Sequence, residues 1–81
     1  MTGIQETFKD IISKILLLEA HQIRDDLSRD DNEDWDSMTH LVLVSEFEQA
    51  FGIVLSDDDI VEIETIGDFK KILIKYGVNI I

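Results

Sequence analysis

The chain reads as an all-α protein: a four-helix bundle with a short third helix and a long loop after helix one. Three observations carry that reading. Apolar residues recur at gaps of three and four, the spacing of one helical face. Serine, threonine and aspartate stand where such stripes begin, and glycine stands where two of them end. No stretch alternates apolar and polar residues convincingly enough to compete as a strand, and no proline interrupts a helix.

The first stripe is Ile4, Phe8, Ile11, Ile15 and Leu18, widened by Ile12 and Leu16. It predicts a helix over about residues 3 to 19. Residues 20 to 36 then change character, with Asp25, Asp26, Asp30, Asp31, Glu33, Asp34 and Asp36 dominating and only Ile23, Leu27 and Trp35 large and apolar. So long a loop is unusual in a small domain and marks a place to look for function. Ile23, Leu27 and Trp35 are expected to pin it to the body. The second helix is expected from about Ser37 to Phe51, with Leu41, Val44, Phe47 and Phe51 on its buried sector and Val42 and Leu43 outside it. Apolar groups on more than one face suggest a helix that is central or touched by partners. Gly52 is the expected stop.

Ile53, Val54 and Leu55 read as a short extended link. Ser56 followed by Asp57, Asp58 and Asp59 reads as a capped start with acids in the first turn, and this short third helix ends near Ile63. Thr65-Ile66-Gly67-Asp68 repeats the capping logic and opens a last helix carrying Phe69, Ile72, Leu73 and Tyr76, with Gly77 as its stop. Phe8, Phe47, Phe51 and Phe69 are expected in the core.

Composition narrows the function. The 81 residues suffice for one small domain, residues 1–81, and the 44% apolar content supports a core. With no cysteine there is no disulfide, thiolate nucleophile or Cys-based metal site. No apolar run approaches a membrane span, and the first residues lack the basic and apolar regions of a signal peptide, so a cytoplasmic setting is expected. The net charge is −11, from 18 acidic and 7 basic residues. That argues against nucleic acid or anionic membrane as a partner and for partners with basic patches, for divalent cations, or simply for solubility.

Asp36-Ser37-Met38 is the feature that points to chemistry. It places a serine hydroxyl at the mouth of the second helix, where peptide dipoles favour an attached anion such as a phosphate ester. By itself such a pair is an ordinary cap. Sharper readings of other residues fail on spacing. Asp30 to Asp34 resemble the start of a calcium loop, but the sixth and twelfth positions, which need Gly and Glu, are Trp35 and Leu41. His21 and His40 have no second ligand at metal spacing, so no metal site is expected. His40 is expected to be an exposed histidine, with contact to a group on Ser37 as the sharper alternative. A Ser-His-acid hydrolase would need a nucleophile elbow that the chain lacks, so no catalytic residue is assigned.

With that layout in place, the chain resembles the acyl carrier protein family. Asp36-Ser37-Met38 stands for the family's Asp-Ser-Leu, with Met38 a volume-conserving departure. Phe51-Gly52-Ile53 with Ser56 to Asp59, and Ile63-Glu64-Thr65-Ile66-Gly67-Asp68, are similar to the family's later helix boundaries. The resemblance spans about Ile4 to Tyr76. It implies a discrete, non-enzymatic carrier with 4′-phosphopantetheine on Ser37. A phosphopantetheinyl transferase would attach the arm, and only that enzyme would need coenzyme A and Mg²⁺. The arm's terminal thiol would then hold an acyl or aminoacyl cargo for loading and transferring enzymes. It also implies a monomer, partner contacts through Asp36, Met38, Val42 and Glu48, and a core that parts beside Phe47 to admit a chain. Fatty-acid-synthesis carriers usually have Glu where Val42 stands, and acids are common where Gln49 and Ala50 stand. Trp35-Asp36-Ser37 is similar to the Trp-Asp-Ser of carriers serving specialised or cell-envelope pathways. The reading from the residues alone that competes with the carrier is a non-enzymatic acidic interaction module with the same bundle.

Overall fold

The computed structural model describes residues 3–80. Among the described residues there are four α-helices: α1 (Ile4–Leu16), α2 (Ser37–Phe51), α3 (Asp57–Glu62) and α4 (Ile66–Lys75). Single 3₁₀ turns at Ala20–Gln22 and Arg29–Asp31 shape the long loop. No helix among the described residues is long and apolar enough to cross a membrane.

The core collects one face of each long helix. Phe8, Ile12 and Leu16 come from α1, Leu43, Val44 and Phe47 from α2, and Ile66, Phe69 and Leu73 from α4. Leu55, Ile63, Val78 and Ile80 close it from the connections and the tail. Aromatic rings run through its middle. Phe47 lies 5.0 Å from Phe8 and 5.1 Å from Phe69, and Trp35 stacks on Phe69 at 5.9 Å, within the range where aromatic pairs add about 0.5–1.5 kcal/mol to their burial. Phe51 is half-buried against this cluster.

The buried face of α2 differs from the one its apolar residues predict. Leu43 is fully buried, whereas Leu41 is 59% exposed. The true stripe is His40, Leu43, Val44, Phe47 and Phe51, with gaps of three, one, three and four. His40 occupies the first core position. Counting it as a surface residue moved the stripe round the helix onto Leu41.

The loop is strapped to the turn between α3 and α4 by backbone bonds. Arg29 N–H donates to the Glu64 carbonyl (2.9 Å), Ile66 N–H to Leu27 (3.0 Å) and Gly67 N–H to Asp25 (2.8 Å). Ser28 and Thr65 form an isolated antiparallel bridge. A side chain at Gly67 would begin 3.1 Å from the Asp25 carbonyl oxygen, so only glycine fits that approach without a shift. Trp35 is buried, and Ile23 and Leu27 are half-buried, as pins for the loop should be. Lys70 adds an ion pair to Asp25 at 2.6 Å. The start of α3 is tied to the end of α4 in a similar way. The Asp59 carboxylate accepts from the Tyr76 hydroxyl (2.7 Å) and from Lys75 Nζ (3.0 Å), and Ser56 N–H donates to the same tyrosine oxygen (3.0 Å). Those donors hold the Asp59 carboxyl below its ordinary range.

α2 and α4 end on glycines with positive φ, Gly52 at 67° and Gly77 at 91°. In each case the next N–H reaches back five residues, from Ile53 to Glu48 and from Val78 to Leu73. α1 makes the same closure from Leu18 to Ser13, but the left-handed position is Leu17, at φ 57°. The helix therefore stops at Leu16, short of the residue 19 that the apolar stripe predicts. The Ser13 hydroxyl, bonded to the Leu18 carbonyl, reinforces the stop.

Leu17 is 77% exposed, so its side chain contributes little packing while its backbone is strained. A Cβ in the left-handed region costs about 1–2 kcal/mol, and glycine returns roughly 0.4–1 of that through its freer unfolded chain. Leu17→Gly should therefore raise stability by about 0.5–1 kcal/mol, read as a higher urea midpoint at unchanged slope.

Candidate functional site

The site is built at the start of α2. Asp36 is the cap. Its backbone is extended, and its Oδ1 accepts the Thr39 N–H at 2.8 Å, which satisfies one of the donors a helix start leaves unpaired. That bond also lowers the Asp36 carboxyl below its ordinary value, so it is ionised at neutral pH. Ser37 is the first residue of the helix and is exposed. Its position follows from the cap: Asp36 turns the chain into the helix, so the next side chain stands at the helix mouth. A 15-residue helix carries a full dipole, and Ser37 sits at its positive end.

Beside Ser37 lies an open cleft of about 320 Å³. Arg29, Trp35 and Asp36 contribute to it from the loop side, and Glu64 and Thr65 from the α3–α4 connection. The strap described above therefore sets its width. A second groove, of about 350 Å³, involves Phe8, Ile23, Lys70 and Ile74 and shares no lining residue with the cleft at Ser37. The serine, the dipole, the cleft and the Arg29 cation fit a phosphate ester carrying a flexible arm. Among the described residues no three His, Cys, Asp or Glu side chains converge as a metal site.

Three residues into the helix, His40 is 3% exposed, which corrects the expectation of a surface histidine. Its Nδ1 accepts from Trp35 Nε1–H at 3.0 Å, and its Nε2 lies 2.8 Å from the Ile60 carbonyl, to which an Nε2–H donates. The ring is thus neutral and fixed in one tautomer by its partners. Burial is the main cause that lowers its pKa below the ordinary 6.5, with the nearby Arg29 charge adding to it and the Ile60 carbonyl opposing it. Both nitrogens are occupied, so His40 does not reach a group on Ser37. It ties together the loop, α2 and α3 behind the site.

The other residues singled out from sequence fall in different places. Met38 is 76% exposed and Val42 is 44% exposed. Together with Leu41 they make an apolar surface on α2 next to Ser37. Glu48 faces inward: its Oε2 accepts the Leu55 N–H at 2.8 Å, fastening the link that follows α2. Sequence reading missed Leu41 as part of the exposed flank and Arg29 as part of the cleft. The first would have followed from placing His40 in the core register. Nothing in the sequence near Arg29 signals the second, because the backbone strap is what brings it to Ser37.

Comparison with known proteins follows this geometry. The family model described as a phosphopantetheine attachment site matches residues 6–73. Acyl carrier proteins of Bradyrhizobium sp. (strain ORS 278) and Nitrobacter hamburgensis are each 36% identical over 75 residues, covering 93% of this chain and 95% of theirs. A solved structure from Mycobacterium tuberculosis, described as a candidate acyl carrier protein, superimposes with a TM-score of 0.80 at 26% identity, over 91% of this chain and 99% of that one.

His40 also sets a pH dependence. Its folded pKa lies below its unfolded one, so its contribution is complete above about pH 6.5 and is lost as pH falls below that value. Asp36 and Asp59 have lowered pKa values and keep their contributions until well below that window. From about pH 7.5 to about pH 5.5, wild type should lose urea stability that a His40→Gln variant does not lose. The variant itself should be weaker at pH 7.5 by roughly 1–3 kcal/mol, from imperfectly paired Trp35 and Ile60 groups.

Proposed function

The chain belongs to the acyl carrier protein family, and from that premise we propose that Ser37 bears a 4′-phosphopantetheine arm on a single discrete carrier domain, residues 1–81. Members of the family are non-enzymatic carriers with a phosphopantetheine attachment site. The observation that carries the assignment to Ser37 is its exposure as the first residue of α2, beside the capping, ionised Asp36, within the matched stretch.

A phosphopantetheinyl transferase, using coenzyme A and Mg²⁺, joins the Ser37 oxygen to the arm's phosphorus and releases the nucleotide part of coenzyme A. The hydroxyl proton leaves with a base of that enzyme. The arm supplies a thiol, and a thioester on it keeps an acyl or aminoacyl cargo tethered at high effective concentration for loading and transferring enzymes. The chain's own residues fix where the arm starts. Asp36 ends the approach to the helix, Trp35 and His40 hold the wall behind it, and α2 presents Met38 and Val42 to whatever docks. The acidic surface steers basic partners, the carrier acts as a monomer, and its setting is cytoplasmic. Intact mass after incubation with coenzyme A, Mg²⁺ and a broad-specificity transferase tests the assignment. One phosphopantetheine should be added, and Ser37→Ala should receive none. Modification that survives the substitution sinks the assignment to Ser37, and no modification of wild type favours the interaction-module reading.

The docking face supports a partner outside housekeeping fatty-acid synthesis. Val42 is exposed where such carriers usually have Glu, and Glu48 is already engaged by Leu55. An enzyme docking through Arg and Lys loses charge-assisted contacts here, each worth on the order of 1 kcal/mol or more when partly desolvated. A dedicated partner can bury Val42, with Met38 as an adaptable neighbour. Loading assays at matched salt should find the holo protein a poor substrate for general fatty-acid enzymes. Val42→Glu should improve that activity and weaken the native partner. A wild type equal to a housekeeping carrier, with Val42→Glu silent, would rule this partner choice out.

A further inference from the structure

We infer that Arg29 is the cation that holds the phosphodiester on Ser37 and directs the arm into the cleft between the loop and the start of α4. The inference rests on Ser37 carrying the arm, as proposed above. A phosphodiester brings one negative charge to this place, and the place is already acidic. Asp30, Asp36 and Glu64 line the same cleft as Ser37, and the Asp36 carboxyl is held ionised by Thr39. The first-turn dipole of α2 offsets part of that repulsion but not three carboxylates. Arg29 is the one cationic residue lining the cleft.

Its geometry suits the task. The ion pairs among the described residues use His21, Arg24, Lys70 and Lys75, so none of the three carboxylates takes up the Arg29 guanidinium. Its backbone is fixed by the N–H bond to Glu64, by the Ser28–Thr65 bridge before it, and by the Ser28 hydroxyl bond to Asp31 (2.9 Å) across its turn. The side chain is half-buried at the cleft wall, and its charge is felt at His40, three residues beyond Ser37. A planar guanidinium can engage two phosphate oxygens at once, which fixes direction as well as charge. An arm tethered only at Ser37 would sweep a wide cone. One held at its phosphate as well leaves the helix mouth on the Thr65 side, away from the Met38 and Val42 surface.

The test compares unmodified and holo wild type by nitrogen-15 NMR of the arginine side chains. The Arg29 Nε–H resonance should shift and gain protection from water exchange only in the holo form, and added salt should weaken both effects. In holo Arg29→Gln the phosphorus-31 resonance should move and the arm should become more mobile, whereas Arg29→Lys should restore part of the wild-type signal. An Arg29 Nε–H that is the same in both wild-type forms overturns the inference, as does a phosphorus signal and arm mobility unchanged in Arg29→Gln. The wild-type comparison needs no variant, so it decides the matter even if Arg29→Gln fails to fold. Intact mass separates the two readings. No phosphopantetheine gain by wild type removes the Ser37 assignment, and a gain with a silent Arg29 removes only the role of Arg29.

Discussion

The neutral imidazole of His40 is the interaction on which the rest of the structure depends. One nitrogen accepts a hydrogen bond from Trp35 and the other donates one to the Ile60 carbonyl, so a single ring joins the long loop, α2 and α3. Those elements do not otherwise share a core-facing helix surface. Without that ring Trp35 would keep only its packing on Phe69, and the inner wall of the cleft beside Ser37 would be less firmly held. A buried polar ring costs stability unless both its nitrogens are satisfied, and here both are. The result is a rigid support one helical turn behind an exposed serine.

Charge in this chain is divided between work inside the fold and work outside it. A net −11 suggests a surface given over to steering. Many of the acids are engaged, however. Asp36 caps α2, Asp68 completes the capping box of α4, Asp59 binds Tyr76 and Lys75, Glu48 fastens Leu55, and Asp25 pairs with Lys70. Each is a bond that the acid makes to a backbone or side-chain donor within the fold. The remaining acids are concentrated in the loop before α2 and at the first turn of α3 after it. The face near Ser37 is thus an apolar centre with an acidic margin, not a uniformly acidic helix.

The helix boundaries were legible because they are set by local chemistry. Asp36, Ser56 and the Thr65–Asp68 pair cap as their residue types dictate, and Gly52 and Gly77 stop helices where a left-handed residue is needed. Ser37 was legible for the same reason, since a helix mouth is a local feature. Three things were not. Leu17 ends α1 in a conformation that its residue type disfavours, so nothing local announces it. His40 looks polar, and only its partners, five residues before and twenty after, make it a core residue. Arg29 belongs with these: it lines the same cleft as Ser37, but the contacts that put it there come from Glu64 and Thr65. Long-range pairing, not propensity, decides the last two cases.

Trp35 has a consequence of a different kind. It is the chain's single tryptophan, buried, stacked on Phe69 and hydrogen-bonded to His40. The protein therefore carries its own optical gauge, seated one residue before Asp36. Its emission is set by a dry, aromatic surrounding and by the protonation of the imidazole it touches. A change in loop placement, in the His40 ring or in the inner wall of the cleft is written into one fluorescence signal. Events at Ser37 can be followed in real time on unlabelled protein, with no dye to disturb its surface.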